Sequence, residues 1–216
     1  MQQKSVPLRD IKEINDWEMV IFLYTSALKS INTKIDILND EFKNRHKYNP
    51  IEHVNSRIKT STSIVKKLKR HGYESSIENM VRYVNDIAGI RITCSFTSDI
   101  YKIADMLSKQ GDLTILSVKD YMKNPKKSGY RSYHMLVTVP VFLSDAIIDT
   151  KVEIQIRTVA QDFWATLEHK IHYKFEGDGP DYISQELRDC AKYIADLDKR
   201  MEELNNEIQK YGEMPH

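Results

Sequence analysis

Apolar residues recur at steps of three and four positions near both ends of the chain, and this spacing predicts a long helix at each end. The first helix is expected from about Asp10 to Arg45 and the second from about Ser184 to Lys210. The second carries one apolar stripe, formed by Leu187, Ala191, Ile194, Leu197, Met201, Leu204 and Ile208. A single small domain is not expected to cover such stripes completely, so self-association is expected.

Between these helices the pattern alternates with a period of two in five places, as half-buried strands do. A helix over about Ser76 to Val84, another over Ile100 to Gln110 capped by Ser98, and a third around Trp164 separate or follow the strands. Together these predicted elements indicate an α+β fold: a five-stranded mixed β-sheet flanked by helices, with long N- and C-terminal helices. The five predicted strands are Glu52–Lys59, Ile90–Phe96, Leu113–Tyr121, Tyr133–Val139 and Lys151–Thr158.

Residues 51–70 are compatible with two arrangements. One continuous helix would put Arg57 near the apolar side with Ile58, which is costly for a charged group. A short strand followed by a helix capped at Thr60 or Ser61 keeps Arg57 on a polar face. We therefore predict a strand and then a helix.

The composition narrows the class of protein. With 32 basic and 31 acidic residues the net charge is +1, so an anion site must come from local clustering of charge. Cys94 lies in an apolar strand pattern far from Cys190, which predicts a buried free thiol and a reducing environment. No apolar run reaches the length of a membrane span and no signal-peptide core is visible, so a soluble, cytoplasmic protein is expected.

Two of the predicted strands combine an acid with an arginine. Asp86 stands just before the strand that carries Arg91, and Glu153, Gln155 and Arg157 alternate along another strand. A carboxylate can hold a divalent metal or take a proton, and an arginine can hold phosphate. The pairing indicates phosphoryl-group chemistry on a nucleotide, although an amphipathic strand on a solvated sheet face would alternate in the same way.

Two further groups bear on this choice. The first is a group of cationic side chains with one serine, around the predicted start of a helix. Such a group could bind a polyphosphate, although a helix face that is merely exposed to solvent has the same composition. Tyr130 follows Gly129 in a loop with Lys126 and is either an aromatic platform for a base or a residue that closes the core. His134 is a candidate acid–base group or metal ligand. The cationic group consists of Arg57, Lys59, Ser63, Lys66, Lys67 and Arg70.

Four motifs in order resemble the synthetase domain of the RelA/SpoT proteins. They are R-x-K-x3-S-I-x2-K from Arg57, D-I-A-G-I-R from Asp86, G-Y-R-S-Y-H from Gly129 and E-I-Q-I-R-T from Glu153. The matched part covers roughly residues 49–174, and the short chain resembles the stand-alone small alarmone synthetases of the RelP type. The resemblance implies a nucleotidyltransferase-like fold. It divides the chain into an N-terminal helical extension (1–48), a synthetase domain (49–176) and a C-terminal helix (177–216) used for oligomerisation.

The resemblance implies transfer of pyrophosphate from ATP to the 3′-hydroxyl of GDP or GTP, giving ppGpp or pppGpp and AMP. Asp86 and Glu153 would be the catalytic residues and would bind Mg²⁺, with Glu153 also able to act as the general base. Arg57 and Arg91 would sandwich the adenine of ATP, while Lys59, Ser63 and Lys67 would hold its phosphates. For GDP or GTP, Tyr130 would stack on guanine, and Lys126, His134 and Gln155 would contact the phosphates, with Arg157 supporting that surface. Asp162 falls where some relatives carry asparagine near the guanine, so the resemblance places it among the residues that would bind GDP or GTP.

Further expectations follow from the same resemblance. The family precedent is a homotetramer. No His-Asp dipeptide of the hydrolase type occurs in the sequence, so synthesis without hydrolysis is expected. The alternatives are a pyrophosphokinase acting on adenosine nucleotides or on RNA 3′ ends, and a catalytically inactive module that binds nucleotides or RNA.

Overall fold

The computed structural model describes residues 5–10, 16–46, 48–174 and 180–212. The chain starts with a two-residue strand, β1 (Val6–Pro7), and a 3-10 helix (Leu8–Asp10), and the long helix α1 (Trp17–His46) follows. The other elements are β2 (Ile51–Ile58), α2 (Ser61–Arg70), α3 (Ile77–Tyr83), β3 (Ala88–Cys94), α4 (Thr97–Ser108), β4 (Thr114–Asp120), β5 (Tyr133–Phe142), β6 (Ile147–Thr158), α5 (Val159–Lys174) and α6 (Asp181–Gly212).

The strands form one mixed sheet in the order β2-β3-β6-β5-β4. β3 and β6 run parallel, and the pairs β2–β3, β5–β6 and β4–β5 are antiparallel. The predicted α+β fold is confirmed, with all five expected strands present. β1 adds a sixth strand by pairing in parallel with the first residues of β6, and two residues are too few for a periodic pattern to reveal.

Residues 51–70 form a strand followed by a helix, as predicted. Thr60 lies at the N-cap of α2, where its side-chain oxygen accepts a hydrogen bond from the backbone N–H of Ser63. Ile64 and Leu68 are buried on the inner side of this helix. Arg57 is exposed, so the charge avoids the apolar side that a continuous helix would have given it.

The core lies on the isoleucine face of the sheet. Ile90 and Ile92 of β3 and Ile154 and Ile156 of β6 are buried in one apolar cluster with side chains of α1 and α4. Because successive residues of a strand point to opposite faces, the polar residues between them project from the other face. The same alternation therefore builds the core and presents the candidate site residues.

Two expectations about helix starts are wrong. Ser98 does not cap α4, which begins at Thr97; instead the backbone N–H of Ser98 donates to Oε2 of Glu202 at 3.1 Å. This carboxylate comes from α6, so local sequence gives no sign of it. The first helix begins at Trp17, since Asp10 belongs to the 3-10 helix, and residues 11–15 lie outside the described residues.

The apolar stripe of α6 is covered only along its first half. Ala191 is 6% exposed, with Leu187 and Ile194 packed beside it. The apolar stripe then continues into solvent, with exposures between 49% and 70% for Leu197, Met201, Leu204 and Ile208. Among the described residues, no helix is long and apolar enough to cross a membrane.

Candidate active site

A cavity of about 190 Å³ opens where β2, β3 and β6 lie side by side. The strand register places Gly89 opposite both Arg57 and Glu153, and Arg91 opposite both Asn55 and Gln155. Side chains from three strands therefore meet in two adjacent rows. The lining residues are Asn55, Ser56, Arg57, Asp86, Gly89, Ile90, Arg91, Glu153 and Gln155.

Asp86 is held by two lysines. Its Oδ2 lies 2.6 Å from Nζ of Lys59 and its Oδ1 lies 2.7 Å from Nζ of Lys67. Burial by itself would raise the pKa of Asp86, but the two lysines outweigh it and the pKa is lowered. The structure thus joins Asp86 to the cationic group predicted from the sequence: Lys59 precedes α2, Lys67 lies in its last turn, and Ser63 lies in its first turn.

Glu153 is the second carboxylate of the cavity. Its Oε2 accepts from Nε2 of Gln155 at 2.8 Å, and its Oε1 lies 3.6 Å from Nδ1 of His134. Burial works to raise the pKa of Glu153, but His134 and Gln155 outweigh it, and the pKa is lowered. Both carboxylates are therefore ionised at neutral pH.

Tyr130 lies at the other side of the site, in a cluster of aromatic and cationic groups. Its hydroxyl is 2.9 Å from Nε2 of His134 and accepts from Nη2 of Arg157 at 3.0 Å. Nζ of Lys126 lies 4.8 Å from the ring centroid. The ring also packs against the small apolar cluster that includes Trp164. Both interpretations of Tyr130 therefore have a structural basis, because it closes a local core and also faces cations.

Arg157 connects this cluster to the carboxylates. Its side chain is 4% exposed, and its Nη2 donates to Oε1 of Gln155 at 2.7 Å. Nη1 lies 3.2 Å from Oδ1 of Asp162, and Nη1 of Arg91 lies 3.2 Å from the same oxygen. A continuous polar network thus runs from Arg91 to Glu153. Of the residues expected at the site, most lie in this network or line the cavity. Lys59 and Lys67 bond to Asp86, Ser63 lies in the first turn of α2, and Lys126 reaches the site through its contact with the Tyr130 ring.

Sequence reasoning missed two contributors. The ring of Tyr121 lies 5.2 Å from that of His134, and Nζ of Lys126 is 4.9 Å from its centroid. Asn55 lines the cavity. Asn55 stands two positions before Arg57 on β2, so the period of two alone could have placed it on the same face.

The carboxylates of the cavity suit a divalent metal that keeps ligands from water and substrate, rather than a metal enclosed entirely by protein. In the part of the chain that the structure describes, no group of three or more His, Cys, Asp or Glu side chains is placed to hold a metal ion. Two ionised carboxylates, Asp86 and Glu153, nevertheless line one cavity. Mg²⁺ commonly takes one or two protein carboxylates together with water and substrate phosphates.

The fold and this site define an α+β enzyme equipped to handle phosphorylated nucleotides. The chain belongs to the RelA/SpoT family: the family described as a region found in RelA/SpoT proteins matches residues 56–178. The GTP pyrophosphokinase YwaC of Bacillus subtilis is 44% identical over 200 residues, which is 92% of this chain and 95% of that protein.

Two solved structures extend the comparison. Small alarmone synthetase 2 from Bacillus subtilis has a TM-score of 0.82 at 44% identity, covering 89% of this chain and 99% of that one. Small alarmone synthetase 1 from the same species, bound to its product pppGpp, has a TM-score of 0.83 at 34% identity, covering 89% of this chain and 98% of that one. The likeness therefore spans the terminal helices as well as the family region.

Proposed function

We propose that this protein transfers pyrophosphate from ATP to the 3′-hydroxyl of GDP or GTP, releasing AMP and forming ppGpp or pppGpp, without hydrolysing the product. The observation that carries the proposal is the pairing of Asp86 and Glu153 in one cavity between arginines and lysines. The relatives named as a GTP pyrophosphokinase and as a synthetase bound to its product pppGpp support the same activity.

The donor nucleotide would bind between β2, β3 and the start of α2. Arg57 and Arg91, which both line the cavity, would stack on the two sides of the adenine. Lys59, Ser63 and Lys67 would bind the phosphates, assisted by the N-terminus of α2. The two lysines neutralise Asp86 through their ion pairs. Phosphate oxygens would then compete for the lysines and free the carboxylate for a metal.

Asp86 and Glu153 would hold Mg²⁺ jointly with the phosphates of ATP. When bound, the ion would neutralise charge on the transferred pyrophosphate group. The lysines bound to Asp86 and the donors beside Glu153 keep both carboxylates ionised, which is the protonation state that a metal ligand requires.

The acceptor nucleotide would bind on the side of β5 and the loop before it. Tyr130 would stack on the guanine, with Lys126, His134 and Gln155 directed at the phosphates. The ammonium group of Lys126, which lies over the Tyr130 ring, would have to move for a base to stack there. Arg157 would hold Tyr130 and Gln155 in place through the two bonds that it donates.

The reaction needs positioning and charge neutralisation more than covalent catalysis. The 3′-oxygen of the acceptor would attack the β-phosphorus of ATP and form a new P–O bond. The bond between this phosphorus and the oxygen bridging to the α-phosphate would break, and AMP would leave with that oxygen. Glu153 would take the proton of the 3′-hydroxyl.

Product analysis tests the proposal. The full chain is incubated with ATP, Mg²⁺ and either GDP or GTP, and the nucleotides are separated by anion exchange. We expect AMP together with ppGpp or pppGpp. Products formed only with adenosine nucleotides or an RNA 3′ end would favour the alternative pyrophosphokinase, and binding without any product would favour an inactive module.

Two variants test the carboxylates. Glu153→Gln and Asp86→Asn are each expected to lower kcat by about 10²–10⁴-fold, since each removes a charge that the reaction uses. Asp105→Asn is the matched control, because Asp105 forms an exposed pair with Lys109 along α4. Turnover close to that of the control in both variants would contradict the assigned roles.

We also infer the cellular setting and the assembly. Both cysteines are free thiols, which agrees with a cytoplasmic location. The exposed apolar row at the end of α6 would bind other copies of the chain, with the homotetramer expected from the family as the assembly. Residues 177–216 would then serve as the oligomerisation segment.

A further inference from the structure

Asp162 joins two arginines that belong to different parts of the site. It lies in the first turn of α5, where the helix N-terminus favours a negative charge. One oxygen, Oδ1, is 3.2 Å from Nη1 of Arg91 and 3.2 Å from Nη1 of Arg157. Arg91 lines the cavity with Arg57, whereas Arg157 contacts Tyr130 and Gln155. A single carboxylate therefore touches both proposed nucleotide sites.

The two arginines differ in their freedom to move. The side chain of Arg91 is 35% exposed and that of Arg157 is 4% exposed. A buried guanidinium depends on its counter-charge, because water cannot replace a lost partner there. Arg91 can leave Asp162 for a ligand in the cavity, whereas Arg157 remains.

Building on the proposed function, we propose that Asp162 couples the donor and acceptor sites. While the donor is absent, Asp162 shares its charge between Arg91 and Arg157. When the adenine nucleotide engages Arg91, the carboxylate interacts with Arg157 alone and a neighbouring positive charge moves away. Arg157 is then held more firmly, and so are the acceptor-side groups bonded to it, Tyr130 and Gln155.

Donor binding should therefore raise the affinity for the acceptor nucleotide, and linkage requires the reverse effect to be equal. The Arg91–Asp162 pair is partly exposed, and such pairs interact weakly. We expect the low end of the usual coupling range, an increase of about fivefold in affinity. Asp162 acts here as a positioning residue, since its effect passes through the two arginines.

Isothermal titration calorimetry tests the coupling without turnover. The affinity of the full chain for GTP is measured with Mg²⁺, in the absence and in the presence of saturating α,β-methylene-ATP. The wild type is expected to show a ratio of about five and Asp162→Asn a ratio near one. Asp162→Glu, which keeps the charge, should retain part of the effect. Asp105→Asn, an identical change in an exposed pair, should retain all of it.

The result is decisive in either direction. A wild-type ratio of one, or an undiminished ratio in Asp162→Asn, would overturn the proposal. If thermal melting shows that Asp162→Asn is unfolded, Arg91→Gln replaces it, since this variant also removes the shared cation and must bring the ratio to one. Formation of ppGpp or pppGpp by a wild type without coupling would refute the coupling alone. Absence of any product from a wild type that binds both nucleotides would refute the proposed function instead.

Discussion

Asp86 and Glu153 keep their charge in a largely buried site because each has specific partners. Burial favours the neutral form of both carboxyl groups, and two lysines at Asp86 and two donors at Glu153 reverse that preference. At this scale the site is a balance of opposing charges. The charge state of each carboxylate therefore depends on the side chains that it contacts.

Substitution of Tyr130 separates the roles of its ring and its hydroxyl. Tyr130→Phe loses the contacts with His134 and Arg157, each worth about 1 kcal/mol. Because these contacts lie within the protein, only part of that energy affects nucleotide binding, and the KM for GTP or GDP should rise by about 3–10-fold. Tyr130→Ala also loses the stacking surface, worth about 1–3 kcal/mol, and should raise this KM further. Steady-state kinetics with each nucleotide varied in turn measure the effect. The KM for ATP should stay within about twofold, and an equal rise in both KM values would contradict an acceptor-side role.

Lys151, which is not one of the candidate site residues, is expected to make the stability of the folded protein depend on pH. Burial, followed by the charge of Arg9, lowers the pKa of Lys151 from 10.5 to about 8. Between pH 8 and 10.5 the unfolded chain binds more protons at this group than the folded chain, so stability rises with pH in this window. Because Lys151 is partly solvated, we expect about 1–2 kcal/mol.

Urea unfolding at pH 7.5 and 9.5 measures the contribution of Lys151 to the pH dependence of stability. The free energy of unfolding of the wild type should rise relative to that of Lys151→Met as pH increases. Parallel changes in the two proteins would show that Lys151 keeps an ordinary pKa. Lys151→Met also loses the two bonds that Nζ donates to Arg82 and Asn85, so the two proteins are compared by their change between the two pH values and not by their absolute free energies of unfolding.

At the scale of elements, β6 organises the site. It pairs with β3 on one side and β5 on the other, so side chains of three strands reach the polar groups on β6. The loop before β5 lies against α6, since a Cβ atom placed on Gly129 would meet Cβ of Ala191. Helix α6 is in turn joined to α5, where Nε1 of Trp164 donates to the carbonyl of Leu187 at 3.0 Å. The last helix therefore contributes to the shape of the acceptor side.

Glycine substitutions test the contact between α6 and this loop. Gly129 has a φ of +91°, and a Cβ atom placed there would lie 2.5 Å from Cβ of Ala191. Gly129→Ala combines backbone strain with this clash and should cost about 2–4 kcal/mol. It should also raise the KM for the guanine nucleotide, because Tyr130 is the next residue.

Two other glycines provide graded controls for denaturant unfolding. Gly72 has a φ of +78° but open space around it, so Gly72→Ala should cost only the backbone strain of about 1–2 kcal/mol. Gly111 also has open space and no positive φ, so Gly111→Ala should be neutral or stabilising by about 0.4–1 kcal/mol. If Gly129→Ala lowers the free energy of unfolding by no more than Gly72→Ala does, α6 can move away from the added methyl group without loss of stability.

For the whole molecule, nearly balanced charge coexists with a strongly polar site and an uncovered apolar row. A net charge of +1 gives little long-range attraction for nucleotides, so binding depends on the local cations. The uncovered row on α6 predicts association of several copies.

Substitution within this row tests the assembly without removing α6 from the acceptor side. Leu204→Glu, at a side chain that is 53% exposed, should lower the mass measured by light scattering, because it would place a charge in an apolar interface. Asn206→Glu, at an exposed polar position of the same helix, is the control and should keep the wild-type mass. An unchanged mass in Leu204→Glu would assign the interface to another surface.

The sequence by itself determined the helices, the five main strands and the face on which each polar residue lies, because these depend on spacing along the chain. It also supplied the candidate site residues, through a resemblance carried by four motifs in order. Only the tertiary structure decided which charges neutralise one another: Asp86 with two lysines, and Asp162 with two arginines from different strands. It also decided the capping of α4 by Glu202 and the approach of α6 to Gly129. Apart from the pair of Arg157 with Asp162, which are five positions apart, these contacts join residues that are distant along the chain, so no local pattern could encode them.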